Sequence, residues 1–536
     1  MRPTAATAAI LALISSAGMA HATLVISDGA TSNANCSHGT CTATAAHAVL
    51  NVHHVANMLA TGDVSIKTAS GAGDIAVTRS LSWGSKGHLS LQADNGVGIG
   101  APVVVAGKGG IAIATGAGAL SFSPRGKIQF ADTRGTLSIN GDAYVLADSI
   151  QSLASAFVFN TTRKVALARD YDATPDGVYS FSPIREIDTE LEGLGNTISN
   201  FQVAEHGTTA IFVNVGLVEQ SLGTIRDLHM IKSSAVGGSD DFSASLNVGL
   251  MVGINDGTIL HSDAKGYVSQ FTSGRIGGLV GQNSGHIMES QASARVYGGD
   301  VMGGLVGINL QGTISNSHAG GTVQASPDRP SAQGGLVGRN EAQSTITLSY
   351  STATVRGTTG IGGVVGGLLG LADSGTVSLC FAQGPVSGRA VVGGLIGLNV
   401  GQLSNSYSLS PINGKKHATM GGIAGEGSSF SNISNVYAAG AFTVEHRRHV
   451  GGIMGFLFDG QGETFAKAYW DLDATTVTDP ADGVGNVANQ PGTTGLGHAA
   501  ITSALPAGFD PAIWARDDAI NGGYPYLIAN PPPPPE

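Results

Sequence analysis

Two pairs of carboxylates stand close enough in this chain to share acid–base work: Asp471 with Asp473, and the adjacent Asp240 and Asp241. Enzymes that cut polysaccharides need such clusters. Both pairs sit beside expected turns, however, where an aspartate more commonly bonds its own backbone. His446 and His449 are a second possibility, as metal ligands. A zinc helix of the His-Glu-x-x-His type needs its histidines four apart with a glutamate between them. Here they are three apart across Arg447 and Arg448, and on a strand that spacing puts them on opposite sides. Nucleophile-elbow, Walker and dinucleotide fingerprints are absent in workable strand–turn–helix contexts, and Gly-x-Gly matches in so glycine-rich a chain carry no weight. No catalytic, cofactor-binding or metal-ligating residue is assigned, and the chain reads as a non-enzyme.

Cysteine chemistry is better defined. Cys36 and Cys41 bracket Ser37-His38-Gly39-Thr40, and in an oxidising compartment this pair is expected to close as a disulfide that pins a local turn. Cys380 stands in the apolar run Val377-Ser378-Leu379-Cys380-Phe381 and reads as a small buried hydrophobe, not a reactive thiol. The oxidising compartment is suggested by the N-terminus. Arg2, the apolar stretch Ala5 to Ile14 and Ala20-His21-Ala22 form a secretory signal pattern over residues 1–22, with cleavage expected between Ala22 and Thr23. The apolar stretch is too short to span a bilayer, and no later run is long enough either. A net charge of −11 without a basic stripe argues against nucleic acid as a partner.

What would position any site is a repeat. Gly-Gly-Leu-Val-Gly and its variants begin at Gly249, Gly277, Gly303, Gly334, Gly362, Gly393, Gly421 and Gly451, at intervals of 28, 26, 31, 28, 31, 28 and 30 residues. A near-fixed period of this size marks a solenoid, in which each unit buries its apolar face only against its neighbours. Charged residues make up only 12% of the chain and glycines number 80, which favours short strands and tight turns over exposed helices. The fold class is therefore all-β, a right-handed parallel β-helix with short capping helices. Each coil is expected to have three short strands and three corners. Gly would accept positive φ at the corners and let adjacent coils approach closely. Asn283, Asn309, Asn340 and Asn399 fall at turn positions, where stacked amides form a ladder; a metal or sugar site there is the weaker alternative.

Boundaries follow from the pattern. Residues 23–62 form an N-terminal cap, with a helix whose apolar side is Val52, Val55, Met58 and Leu59 and whose stop is Gly62. Apolar-small-apolar triplets such as Leu89-Ser90-Leu91 build a first stack over 63–143. Residues 144–187 are an irregular insertion, with a helical stripe of Val145, Ile150, Leu153 and Phe157. The repeat array spans 188–473. Residues 474–530 form a C-terminal cap in which large aromatics such as Trp514 plug the end of the core, and 531–536 are a polyproline tail.

The Gly phrase followed by Gly-x-Ile-x-Asn-Ser-x-Ala, over roughly Asp188 to Asp473, resembles the GLUG motif of large bacterial secreted and surface proteins, including filamentous-haemagglutinin-like adhesins. The resemblance implies an exported β-helical protein with adhesin-like function, released or cell-surface, whose partner is an unidentified receptor: a host or bacterial surface protein or a glycan. The Asn-Pro-Asn secretion signature, a C-terminal barrel and a Leu-Pro-x-Thr-Gly sorting signal are not found. Some GLUG-bearing proteins are zinc peptidases that cleave immunoglobulin A, but the His446–His449 pattern does not supply their motif. The alternative function is a structural exoprotein, a matrix or surface scaffold, and behind both stands a polysaccharide-acting enzyme. The polar stretch Ser326–Ser331, in one of the longer repeats, is the expected binding loop.

Overall fold

A computed structural model describes residues 23–68, 73–159, 163–205, 212–238, 245–270, 273–327, 331–341, 343–358, 363–428, 431–445, 448–458 and 464–534. The signal pattern with Ala22, the pair Asp240–Asp241, His446 with Arg447, the repeat start at Gly362 and the middle of the Ser326–Ser331 stretch lie outside them. The described chain is a parallel β-solenoid with a few short helices, and it divides into two compact units.

The first unit comprises residues up to Ala173 with Ile187–Ser199 and Thr224–His229. Its ladder begins at the first described residue. Thr23–Ser27 lies between Ala48–Asn51 and Asp74–Val77, parallel to both, so these residues are strands of the stack as well as neighbours of a cap. Leu24 and Ile26 are the reason: their alternation buries both side chains. Helix Val52–Thr61 follows, and Asn51 caps it by accepting His53 N–H at 3.0 Å and His54 N–H at 3.3 Å. Val52, Val55 and Leu59 are buried as its pattern requires, and Gly62 ends it.

The expected irregular insertion is largely regular. Tyr144 and Val145 belong to a strand, Asp142–Ala147, and the helix starts only at Ile150, running to Phe159. Helical spacing of Val145 with Ile150 misled because the strand's own alternation buries Tyr144 and Leu146 instead. Lys164–Leu167 then pairs in parallel with both Asp142–Ala147 and Glu190–Glu192, continuing the ladder.

The second unit comprises Thr174–Glu186, Asn200–Gly223 and the chain from Met230 onward. One repeat shows its plan: strands Val301–Gly303, Val306–Asn309, Thr313–Ser315 and His318–Gln324 make four strands, where the sequence suggested three. The Gly phrase is a bend between two strands. A Cβ on Gly303 would strike the carbonyl oxygen of Val306, and one on Gly304 the carbonyl oxygen of Gly335 in the next coil. Close approach, not positive φ, therefore selects glycine in the phrase. The left-handed corner is filled by other residues: Asn316 (φ 46), Leu348 (φ 51), Leu379 (φ 55), Asn405 (φ 44) and Asn435 (φ 51). Asparagine tolerates this region by bonding locally, and leucine holds it against its preference.

Inside, equivalent residues stack. Leu279, Leu305, Leu336, Leu368, Leu395, Ile423 and Ile453 are all fully buried. So are Ile287, Ile314, Ile346, Val377, Leu403 and Ile433, paired in register coil to coil.

Candidate functional site

Phe181 begins the site. Ser182, next to it, is buried, donates its hydroxyl to Asn214 O at 3.0 Å and accepts Gly216 N–H at 3.1 Å. That clamp fixes the backbone and leaves the Phe181 ring 66% exposed, the largest such value among the described large hydrophobics. Arg185 follows on strand Ile184–Ile187. Glu205 ends strand Gln202–Glu205, Val213 and Asn214 lie on Phe212–Val215, and Glu219 lies on Val218–Ser221. These residues line a cleft of about 390 Å³ within the second unit.

Its electrostatics are uneven. Arg185 Nε is 3.8 Å from Glu219 Oε2, a loose and solvent-exposed pair. Burial pushes the Glu205 carboxyl up to about 7, and the charge of Glu219 adds to the effect. Near neutral pH Glu205 is therefore partly protonated beside Glu219. Asn247 Nδ2 donates to Asn214 Oδ1 at 2.8 Å, which orients the Asn214 amide. Acids, an amide, a guanidinium and an open aromatic ring together suit a small polar ligand with an apolar side.

No motif announced these residues. They are spread between Phe181 and Glu219, lie outside the Gly phrases and meet because successive strands wind past one another. The sole local signal is an aromatic residue left in a polar loop, Tyr179-Ser180-Phe181-Ser182-Pro183.

The residues singled out by sequence have other employment. Asp471 is fully buried; its Oδ1 accepts Asp473 N–H at 2.9 Å and Ala474 N–H at 3.0 Å. Its Oδ2 meets His498 Nδ1 at 2.8 Å and accepts the Tyr524 hydroxyl at 2.8 Å. Asp473 accepts His498 N–H at 2.8 Å. Both carboxylates are consumed in fastening the C-terminal segment to the last coil. Burial, then the bond to Asp471, raises the Tyr524 hydroxyl above its usual range.

That segment does not plug the core with Trp514. His318, Tyr350, Phe381, Tyr407 and Tyr437 stack as a column of nearly parallel rings, centroids 4.7, 4.7, 4.9 and 5.0 Å apart. Trp514 tilts against Tyr407 and Tyr437 along the side of this column. Asn530 continues the path, donating to Leu379 O at 2.9 Å. The aromatic at the end of the core is Trp470, fully buried, with Nε1 donating to Val477 O at 3.0 Å. A long side chain fits there because Gly452 leaves room for the indole.

Cys36 and Cys41 face each other across an antiparallel ribbon, Ala34–Ser37 with Thr40–Ala43, and are joined by a disulfide, Cα atoms 4.0 Å apart. Thr23 opens the first strand. The amide ladder runs Asn255, Asn283, Asn309, Asn340, each Nδ2 donating to the next Oδ1 at 2.7, 2.7 and 2.8 Å. It stops where Ala372 takes the slot, and Asn399 stands beyond the gap. All of these asparagines are fully buried, and the amides of Asn255, Asn283, Asn309 and Asn340 bond one another along the ladder. Ser331, counted in the expected binding loop, is 6% exposed and its carbonyl accepts Val364 N–H at 2.9 Å. Its end belongs to the ladder. Among the described residues no group of three or more His, Cys, Asp or Glu could hold a metal ion, and no helix is long and apolar enough to cross a membrane.

Comparison with known proteins gives three findings. The GLUG motif model matches residues 298–324, the repeat whose strands are described above. Halomucin of Haloquadratum walsbyi (strain DSM 16790 / HBSQ001) is 32% identical over 298 residues, which is 47% of this chain but only 3% of halomucin. Among solved structures, a candidate immunoglobulin A1 protease from Bacteroides ovatus aligns with TM-score 0.32 and 13% identity, over 73% of this chain and 93% of that one. A structure named IgA1 Protease aligns with TM-score 0.28 and 15% identity, over 64% and 23%. Likenesses of this order carry no inference about activity.

Proposed function

We propose that this is an exported, adhesin-like protein, released or held at the cell surface, whose coils present a variable outer face to a surface protein or glycan. The GLUG motif, the similarity to halomucin and the β-solenoid fold fit a surface-exposed protein.

One observation carries the reading. In six successive coils, on strands Gln291–Gly298, His318–Gln324, Thr354–Arg356, Val386–Gly388, Ile412–Gly414 and Phe442–Val444, neighbouring positions follow opposite rules. The inward position is Val296, Val323, Val355, Val386, Ile412 and Phe442, all buried and all apolar. The very next residue is Tyr297, Gln324, Arg356, Ser387, Asn413 and Thr443, half-buried or exposed and different in each of these six coils. Stacking alone needs only the first column. A second column that changes chemistry at each step is what a presenting surface requires, because specificity then lies in side chains that folding does not constrain.

The test is adhesion of cells displaying the protein. Alanine at Tyr297, Arg356 and Asn413 together should reduce adhesion with circular dichroism and melting temperature unchanged. If these substitutions, and equivalent ones on the other outward columns, leave adhesion at the wild-type level, the scaffold reading replaces this one.

A further inference from the structure

The cleft of Phe181, Arg185, Glu205, Val213, Asn214 and Glu219 has a chemistry that a general presenting surface does not need. At about 390 Å³ it is at the small end for ligand sites, with room for roughly one or two sugar rings. Phe181 keeps 66% of its surface in water beside polar neighbours, although nothing in the coil's packing requires an aromatic residue there. A ligand with an apolar face would cover it and gain from doing so.

Charge narrows the class. Arg185 offsets Glu219, 3.8 Å away, and Glu205 is half protonated near pH 7 because its carboxyl is pushed up to about 7. The lining side chains are thus close to balanced. An ammonium ligand would face Arg185, and an anionic one would face Glu219. A neutral polyol meets neither difficulty, and it needs the mixture present here. Glu219 accepts hydrogen bonds, Arg185 and the Asn214 amide donate them, and Glu205 does either according to its proton.

We propose that this cleft binds a neutral pyranose unit of a polysaccharide, with Phe181 under the C–H face of the ring and Glu219, Arg185 and Asn214 on its hydroxyls. The inference rests on the surface reading only for where such a glycan is met; the cleft's own chemistry carries the rest.

The test is calorimetric titration of the full-length exported protein with cellotriose, mannotriose and galactotriose. A cationic glucosamine trimer and an anionic galacturonate trimer serve as controls. At least one neutral trisaccharide should bind. Phe181→Ala should weaken it roughly tenfold, the factor that matches one lost aromatic contact. Glu219→Gln should weaken it as well, while the melting temperature of both variants stays at the wild-type value. Binding by only a charged trimer, affinity unchanged in Phe181→Ala, or no neutral trisaccharide bound at millimolar concentration overturns the proposal. Displayed cells separate the two readings. If adhesion persists while no neutral trisaccharide binds, the cleft proposal falls and the surface reading stands. If a trisaccharide binds and cells do not adhere, the reverse holds.

Discussion

Between Ser245 and Asp471 both apolar and polar slots recur from coil to coil, whereas in the first unit apolar slots recur, as Leu89, Ile111 and Leu137 do, but the polar links around Glu192 and Asn196 occur once. In the repeat region, buried asparagines hand one amide hydrogen bond from coil to coil, and serines do the same beside the corner: Ser262 N–H to Ser290 Oγ, Ser290 to Ser317 and Ser317 to Ser349, each at 3.2 Å. In the first unit a single Asn196 bonds Ile128 O at 2.8 Å and Leu167 O at 3.0 Å while accepting from Gln129. Beside it, Arg226 lies 3.3 Å from the fully buried Glu192 and 3.2 Å from Asp227. Arg226 favours the charged carboxylate, but burial and Asp227 outweigh it, and the Glu192 carboxyl sits well above its usual range. A repeated slot spreads the risk of failure over neighbours of the same kind. A unique network concentrates it at one junction.

The comparison breaks first in the apolar column. Leu305 is fully buried, and its backbone is bonded to Leu279 and Leu336 in the coils on either side. Leu305→Asp replaces a stacked side chain with a carboxylate that has no partner. The expected loss is more than ~5 kcal/mol, from lost burial and a desolvated charge together. Because each coil is supported by its neighbours, several coils should melt with it. Hydrogen exchange would read this as loss of protection in the strands around 279–337 while the first unit keeps its own. Uniform loss across both units would mean that they do not respond separately.

That column was legible in the sequence because the Gly phrase and its following leucine recur with a short period. So were the disulfide pair and the helix at Val52–Thr61, whose spacings are local. For the glycines of the phrase the sequence offered two roles, positive φ and close approach, of which the structure uses the second. Nothing in Gly303-Gly304 says whether glycine is there for positive φ or for a carbonyl in the next coil, since the second reason exists only once coils stack. Strand Asp142–Ala147 was hidden for a related reason: four apolar residues fit a helical stripe until the pairing partner is known. The cleft was not legible at all. Phe181, Glu205 and Glu219 are unremarkable residues whose proximity is a property of winding, not of spacing.

A middle-sized effect tests the amide ladder. Asn309→Ala removes the acceptor for Asn283 and the donor to Asn340, leaving two buried groups short of a bond, a cost of about 2–4 kcal/mol. Asn283 keeps a second bond, to Gly285 O at 3.2 Å, so the larger share falls on Asn340. The complementary variant is Ala372→Asn. Asn340 Nδ2 has no hydrogen-bond partner in the coil where alanine interrupts the ladder, and an asparagine there supplies an acceptor. It should raise stability by about 1 kcal/mol, the worth of one added hydrogen bond. Denaturant midpoints would check both, and a loss in Ala372→Asn would show that the break in the ladder is needed for packing.

The smallest effect is expected at Cys380, and it bears most directly on what a repeated slot means. Its backbone N–H donates to Ser406 Oγ at 3.1 Å and its thiol to Ser378 O at 3.1 Å. Those are the bonds made by serine in neighbouring coils, as when Ser317 Oγ donates to Ser315 O at 2.7 Å and Ser349 Oγ to Thr347 O at 2.8 Å. Cys380 is therefore a stand-in for serine within the ladder, and burial pushes its thiol up to about 12, far from forming a thiolate at neutral pH. Cys380→Ser should change stability by less than ~1 kcal/mol, in the stabilising direction if the hydroxyl is the better acceptor for the Ser349 N–H. The native thiol should resist alkylation until the coil is unfolded. A large destabilisation by serine would show that this coil has adapted its packing to sulfur, and that recurring slots are less interchangeable than their common hydrogen bonds suggest.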